Sequence, residues 1–227
     1  MRLIDLPSPN HGPRPDGARA ALLILHYTGM PTAADALRRL CDPAAQVSAH
    51  YTVDEDGTVY AHVPEDRRAW HAGVSSWRGV GDINSRSIGI EIVNPGHEFG
   101  YRPFPAAQMD AVAALCVAVM GRHGIRAEDV LGHSDIAPAR KEDPGELFDW
   151  PWLARAGVGL WPMPSQTDEG PFTADEVAEL LGRYGYDAAA PRALLSFQRH
   201  FLPERMTGAA DDETVRRLRA LVRVTGR

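Results

Sequence analysis

Apolar positions fall into two rhythms along this chain. The run ALLILHYT, residues 21–28, is apolar and then stops abruptly at polar residues, which predicts a strand buried on both faces with His26 near its C-terminal end. SIGIEIV, residues 87–93, predicts another buried strand, and its one charged member is Glu91. AHYTVDEDGTVYAHV, residues 49–63, alternates on either side of Asp56-Gly57 and predicts a hairpin. AADALRRL at 33–40 reads as a helix, and PAAQMDAVAALCVAVMGRHG at 105–124 as a long one with a broad apolar face, ended by Gly121 and Gly124. DVLGH at 129–133 predicts a short strand, and residues 149–159 a closing helix. Strands alternating with helices in this order predict an α/β (α+β) fold, a central mixed β-sheet flanked by helices.

The pattern then changes. WPMPSQTDEGP, residues 161–171, has three prolines and no periodicity, which predicts a linker. The domains expected are residues 1–160, the linker 161–171, and a small C-terminal three-helix domain over 172–227. Its helices are expected near 173–184, 191–202 and 211–224, with Thr173 and Glu176 fitting a capping box. Leu194, Leu195, Phe197, Phe201 and Leu202 are its expected core.

Composition narrows the function classes. A chain of 227 residues, 44% hydrophobic and 24% charged, reads as an ordinary globular protein. The net charge of −6 without a basic block argues against a nucleic-acid partner. The apolar runs, AALLIL at 20–25 among them, are too short to span a bilayer. The first residues hold no apolar signal region, so a cytoplasmic protein is expected, or a periplasmic one if Met1 is not the natural start. Cys41 and Cys116 form no CxxC pair, which excludes a zinc knuckle; two buried thiols are expected, with a Cys41–Cys116 disulfide as the alternative.

One loop concentrates chemistry. GHSDIAPARKEDPG, residues 132–145, carries His133, Lys141 and Asp143 on a stretch that proline and glycine keep from regular structure. A catalytic zinc takes three protein ligands and leaves one position open, and strand ends with the loops beyond them can aim such ligands. His26 and His133 each end a predicted strand, and Asp143 follows His133 by enough chain to curl back. Pro144 biases Asp143 towards extended backbone, which would turn Lys141 and Asp143 inward and Glu142 outward. Each residue also has a plainer reading: His26 a core histidine, His133 a surface one, Lys141 and Asp143 a solvated pair worth about 0–1 kcal/mol. Glu91 is harder to set aside, because an unpartnered carboxylate inside a buried strand is costly to desolvate.

LILHYTG, VSAHYTVDEDGTVY, RAWHAGVSSWRG, SIGIEIVN and GHSDIAPARKEDPG together resemble the type 2 zinc N-acetylmuramoyl-L-alanine amidases (Amidase_2), of the AmpD/AmiD-like branch, over residues 20 to 155. The resemblance implies hydrolysis of the amide between the lactyl group of N-acetylmuramic acid, or its 1,6-anhydro form, and L-alanine. The partners it implies are peptidoglycan fragments (muropeptides) or the sacculus. Position by position it makes His26, His133 and Asp143 the Zn2+ ligands, Glu91 the catalytic glutamate, and Lys141 the support of the oxyanion. It places Trp70, His71 and Asn94 at the substrate groove, and His50 and Tyr51 near the core. The alternative class is a peptidoglycan recognition protein that binds without cutting; such proteins lack a complete ligand set. The tail, through its GY, FQRHF and G..D..T...L elements, resembles a peptidoglycan-binding module of the PG_binding_1 type.

Overall fold

The computed structural model describes residues 2–15 and 17–227. In chain order it has β1 (Arg2–Asp5), β2 (His11–Pro13), β3 (Leu22–Tyr27), α1 (Ala33–Cys41), β4 (Tyr51–Val53), β5 (Thr58–Ala61) and β6 (Arg67–Ala69). There follow α2 (Ile83–Arg86), β7 (Ser87–Ile92), α3 (Gly96–Phe99), α4 (Ala106–His123), β8 (Val130–Gly132), α5 (His133–Ile136) and α6 (Trp150–Arg155). Helices α7 (Ala174–Tyr184), α8 (Ala193–Phe201) and α9 (Asp212–Thr225) complete the chain. The main sheet runs β1-β5-β4-β7-β3-β8. Only the β4–β5 hairpin is antiparallel in it, so the sheet is mixed, as the alternating pattern predicts.

Period-two geometry explains how the sheet is sandwiched. On β3, Leu23 and Leu25 face a core shared with α4 and α6, while Leu22 and Ile24 face a second core. On β7, Ile88, Ile90 and Ile92 point to the first core. Ser87, Gly89 and Glu91 alternate with them and share the other face, with Glu91 in register beside His26. Helix α4 ends at Gly124, whose left-handed φ of 67° closes the helix without a Cβ clash, while Gly121 lies inside the last turns.

The second core crosses the proline-rich stretch. Val177, Leu180, Leu181, Tyr184, Tyr186, Phe197 and Phe201 belong to the same buried cluster as Leu22, Ile24, Trp77 and Leu131. The aromatic residues of the tail motif, Tyr186, Phe197 and Phe201, are therefore packed interior. Leu202 is buried too, while Leu194 and Leu195 are only half-buried. Thr173 caps α7 by accepting from the Glu176 N–H at 3.2 Å.

Two expectations change. The segment 132–145 contains one helical turn, α5, immediately after β8. The Asp135 carboxylate accepts the Gly132 N–H at 2.7 Å, which a proline count does not foresee. Of the thiols, Cys116 is buried but Cys41 only partly so, and both are free.

Candidate active site

His26 leaves β3 on the face opposite Leu25, and His133 begins α5 at the end of the neighbouring β8. Asp143 returns to them because the Ser134 N–H donates to the Asp143 carbonyl at 2.9 Å, closing the intervening loop. Three donor atoms converge: His26 Nδ1 and His133 Nδ1 are 2.9 Å apart, and Asp143 Oδ2 lies 3.0 and 2.9 Å from them. All three residues are buried and their donor atoms are grouped as a metal site would require.

The charges around this point fit a cation. Burial, with His133 alongside, lowers His26 to about 4, so its ring is neutral at pH 7. Burial by itself would raise the Asp143 carboxyl, but His133 and His26 outweigh it and hold the group far below the ordinary carboxylate range. His133 Nε2 faces the Ala72 carbonyl at 3.1 Å, and a carbonyl only accepts, so that nitrogen carries the proton. Arg140 Nη2 lies 3.3 Å from the same nitrogen, but it too donates to the Ala72 carbonyl. Nδ1 is therefore the nitrogen that His133 can offer a cation, and it points at the Asp143 carboxylate and the second ring nitrogen. Two imidazoles and one carboxylate are a donor set suited to zinc.

Glu91 sits on the adjacent strand, and its Oε2 is buried with no partner. Burial and the Asp143 charge raise its carboxyl well above the ordinary value, against the pull of Lys141. A cleft of about 330 Å³ opens over these groups, lined by His26, Glu91, His133, Lys141 and Asp143 on its floor and by Trp70 on its wall. Lys141 is half-buried there, while Glu142 turns outward to Arg192 at 3.3 Å, the orientation predicted from the extended stretch.

The remaining residues singled out in the sequence divide. His71 touches the cleft but is largely buried, and its Nδ1 lies 3.0 Å from His26 Nε2. Asn94 is placed differently. It lies outside the cleft lining, buried, with Nδ2 donating to the Arg102 carbonyl at 2.7 Å and Oδ1 accepting the Gly96 N–H at 3.0 Å. Both ends of its amide are committed to shaping the loop after β7. His50 is fully buried behind the sheet, where its Nδ1 accepts the Gly89 N–H at 2.9 Å.

Sequence reasoning missed Asp135. Its carboxylate accepts from Tyr186 Oη at 2.6 Å and His200 Nδ1 at 2.7 Å, tying the turn that bears His133 to the C-terminal helices. The signal was available only as an acid two residues past a histidine, which has no meaning until α8 is seen beneath it.

Comparison with known proteins agrees with this geometry. Residues 16–146 match the family model described as N-acetylmuramoyl-L-alanine amidase. N-acetylmuramoyl-L-alanine amidase AmiD of Escherichia coli K12 is 37% identical over 223 residues, covering 86% of this chain and 80% of the relative. A solved complex of AmiD from E. coli with anhydro-N-acetylmuramic acid-L-Ala-D-gamma-Glu-L-Lys superposes with a TM-score of 0.82 at 35% identity, covering 93% of each chain. 1,6-Anhydro-N-acetylmuramyl-L-alanine amidase AmpD of Enterobacter cloacae is 38% identical over 162 residues, covering 64% of this chain and 84% of the relative.

Proposed function

Because the chain belongs to the N-acetylmuramoyl-L-alanine amidase family, we propose that it is a zinc amidase that releases the stem peptide from muropeptides. The bond cut is the amide joining the lactyl group of N-acetylmuramic acid, or its 1,6-anhydro form, to L-alanine. The observation that carries this reading is the convergence of His26, His133 and Asp143 beside Glu91 on a cleft floor. His26, His133 and Asp143 would hold the zinc, which would supply Lewis acidity to the amide carbonyl and to a water.

The protein's own groups do the rest. Glu91, as the carboxylate, takes the proton of the attacking water and returns it to the departing amine of L-alanine. Lys141, on the same cleft floor, faces the oxyanion that develops on the carbonyl carbon's oxygen. Trp70 offers a half-exposed aromatic wall for the sugar or the peptide. The complete donor triad favours hydrolysis over the recognition-only alternative. Residues 172–227 resemble a peptidoglycan-binding module in their motifs, and that resemblance supports a role for them in holding glycan.

The test is mass spectrometry of products from intact sacculi and from defined anhydro-muropeptides. Free peptide beginning with L-alanine should appear, vanish after chelation, and return with Zn2+. Asp143→Ala should lose metal and hydrolysis together. Zinc-loaded protein that releases no peptide from either substrate overturns the assignment.

A further inference from the structure

Metal-binding histidines need one ring nitrogen bare, and which one is decided by the hydrogen bond at the other. His133 is decided by the Ala72 carbonyl. His26 is decided two residues further away. The Ile83 carbonyl can only accept, so the Ser87 hydroxyl, 2.7 Å away, donates to it. The Ser87 oxygen must then accept from His71 Nε2–H at 3.1 Å. That leaves neutral His71 with a bare Nδ1, which accepts from His26 Nε2–H at 3.0 Å. His26 Nδ1 is left as the nitrogen offered to a cation, 2.9 Å from His133 Nδ1.

The backbone of the same two residues is held as well. Asn84 Oδ1 accepts the N–H groups of His71 and Ala72 at 3.0 and 2.8 Å. Beneath the ring, Gly89 leaves the space His71 occupies: a Cβ there would come within 2.4 Å of the imidazole. Ser87, Gly89 and Glu91 share one face of β7, so His71 lies across the gap at Gly89, joined to Ser87 on one side and to His26 on the other.

We propose that His71 and Ala72, anchored by Asn84 and by the Ser87–Ile83 chain, form one clamp that sets the tautomers of both histidine donors, with His71 the positioning residue for His26. The proposal rests on the zinc reading of the site.

The test uses the full chain. In the zinc-loaded protein, ring-nitrogen NMR should find His71 protonated at Nε2 and bare at Nδ1, with His26 and His133 each bound through Nδ1 and protonated at Nε2; a proton on His71 Nδ1, or zinc bound through His26 Nε2, overturns the proposal without any substitution. Zinc affinity by chelator competition then separates hydrogen bonding from packing. His71→Leu fills the space but cannot accept, and should weaken Zn2+ binding by roughly 10- to 100-fold. His71→Asn retains an acceptor at the Nδ1 position and should recover most of that loss. Leu matching wild type, or Asn binding no better than Leu, overturns the proposal. Wild-type protein that binds no Zn2+ refutes the functional reading itself, a result distinct from these.

Discussion

Trp77 tests whether the C-terminal helices and the sheet unfold as one body. The residue precedes α2, yet its ring packs edge-on against Tyr184 at 5.3 Å and Tyr186 at 5.2 Å, and it is 1% exposed. Its neighbour Arg78 donates its backbone N–H to the Gly185 carbonyl at 2.9 Å, and a Cβ at Gly185 would lie 2.6 Å from the Trp77 ring. Trp77→Ala removes this plug. A buried tryptophan truncated to alanine costs about 3–5 kcal/mol, and two aromatic contacts place this site towards the upper part of that range. The indole N–H is buried without a partner, so the substitution strands no hydrogen-bonding group. With a urea slope of about 2–3 kcal/mol/M, the unfolding midpoint should fall by on the order of 1–2 M. The assay is urea unfolding followed by tryptophan fluorescence and by far-UV circular dichroism. The remaining tryptophans, Trp70, Trp150, Trp152 and Trp161, all precede the C-terminal helices, whereas the dichroism includes α7, α8 and α9. Both signals should shift together. A fluorescence midpoint that stays at the wild-type value while the dichroism shows an early separate step would refute the shared-core argument.

Glu91→Gln should retain zinc and lose roughly 10²–10⁴-fold in kcat, measured on a defined muropeptide with metal content checked in the same sample; a wild-type rate at full zinc puts the general base elsewhere. Lys141→Ala should likewise keep zinc, and should lower kcat more than it raises KM, because the charge it meets exists only in the transition state; a change confined to KM contradicts that role. Burial lowers His50 to about 3, against 6.5 for the free side chain, so below pH 6.5 the unfolded chain binds a proton that the folded one refuses. Its contribution is present above pH 6.5 and is lost as the pH falls towards 3. Between pH 7 and pH 5 this amounts to about 2 kcal/mol, at 1.36 kcal/mol per unit. His50→Asn keeps an acceptor for the Gly89 N–H and cannot titrate. Its urea stability should fall less steeply over that interval by a similar amount, and an identical slope would assign the acid sensitivity to other groups.

Local pattern alone determined the long elements and, through SIGIEIV, which strand carries a charge into the interior. Buried strands and amphipathic helices announce themselves because neighbouring residues share one environment over a full period. Three-residue strands do not: β2 and β6 are too short to contain a rhythm, and they exist because their backbones pair with each other across half a hundred residues. The three proposed metal donors were visible through their motifs, since strand ends and a proline-bound loop are local features. What His71 does was not. Its bond to His26 spans 45 residues, and its room depends on a missing side chain at Gly89. The same holds for Asn94, placed at the groove by resemblance, whose amide bonds to the Arg102 carbonyl and the Gly96 N–H appear only once the loop is folded. The proline-rich stretch marked a change of composition correctly, but composition along a chain says nothing of what lies across it. Only the folded sheet, with Leu22, Ile24 and Leu131 apolar on the face that α7, α8 and α9 cover, decided that the tail shares its core.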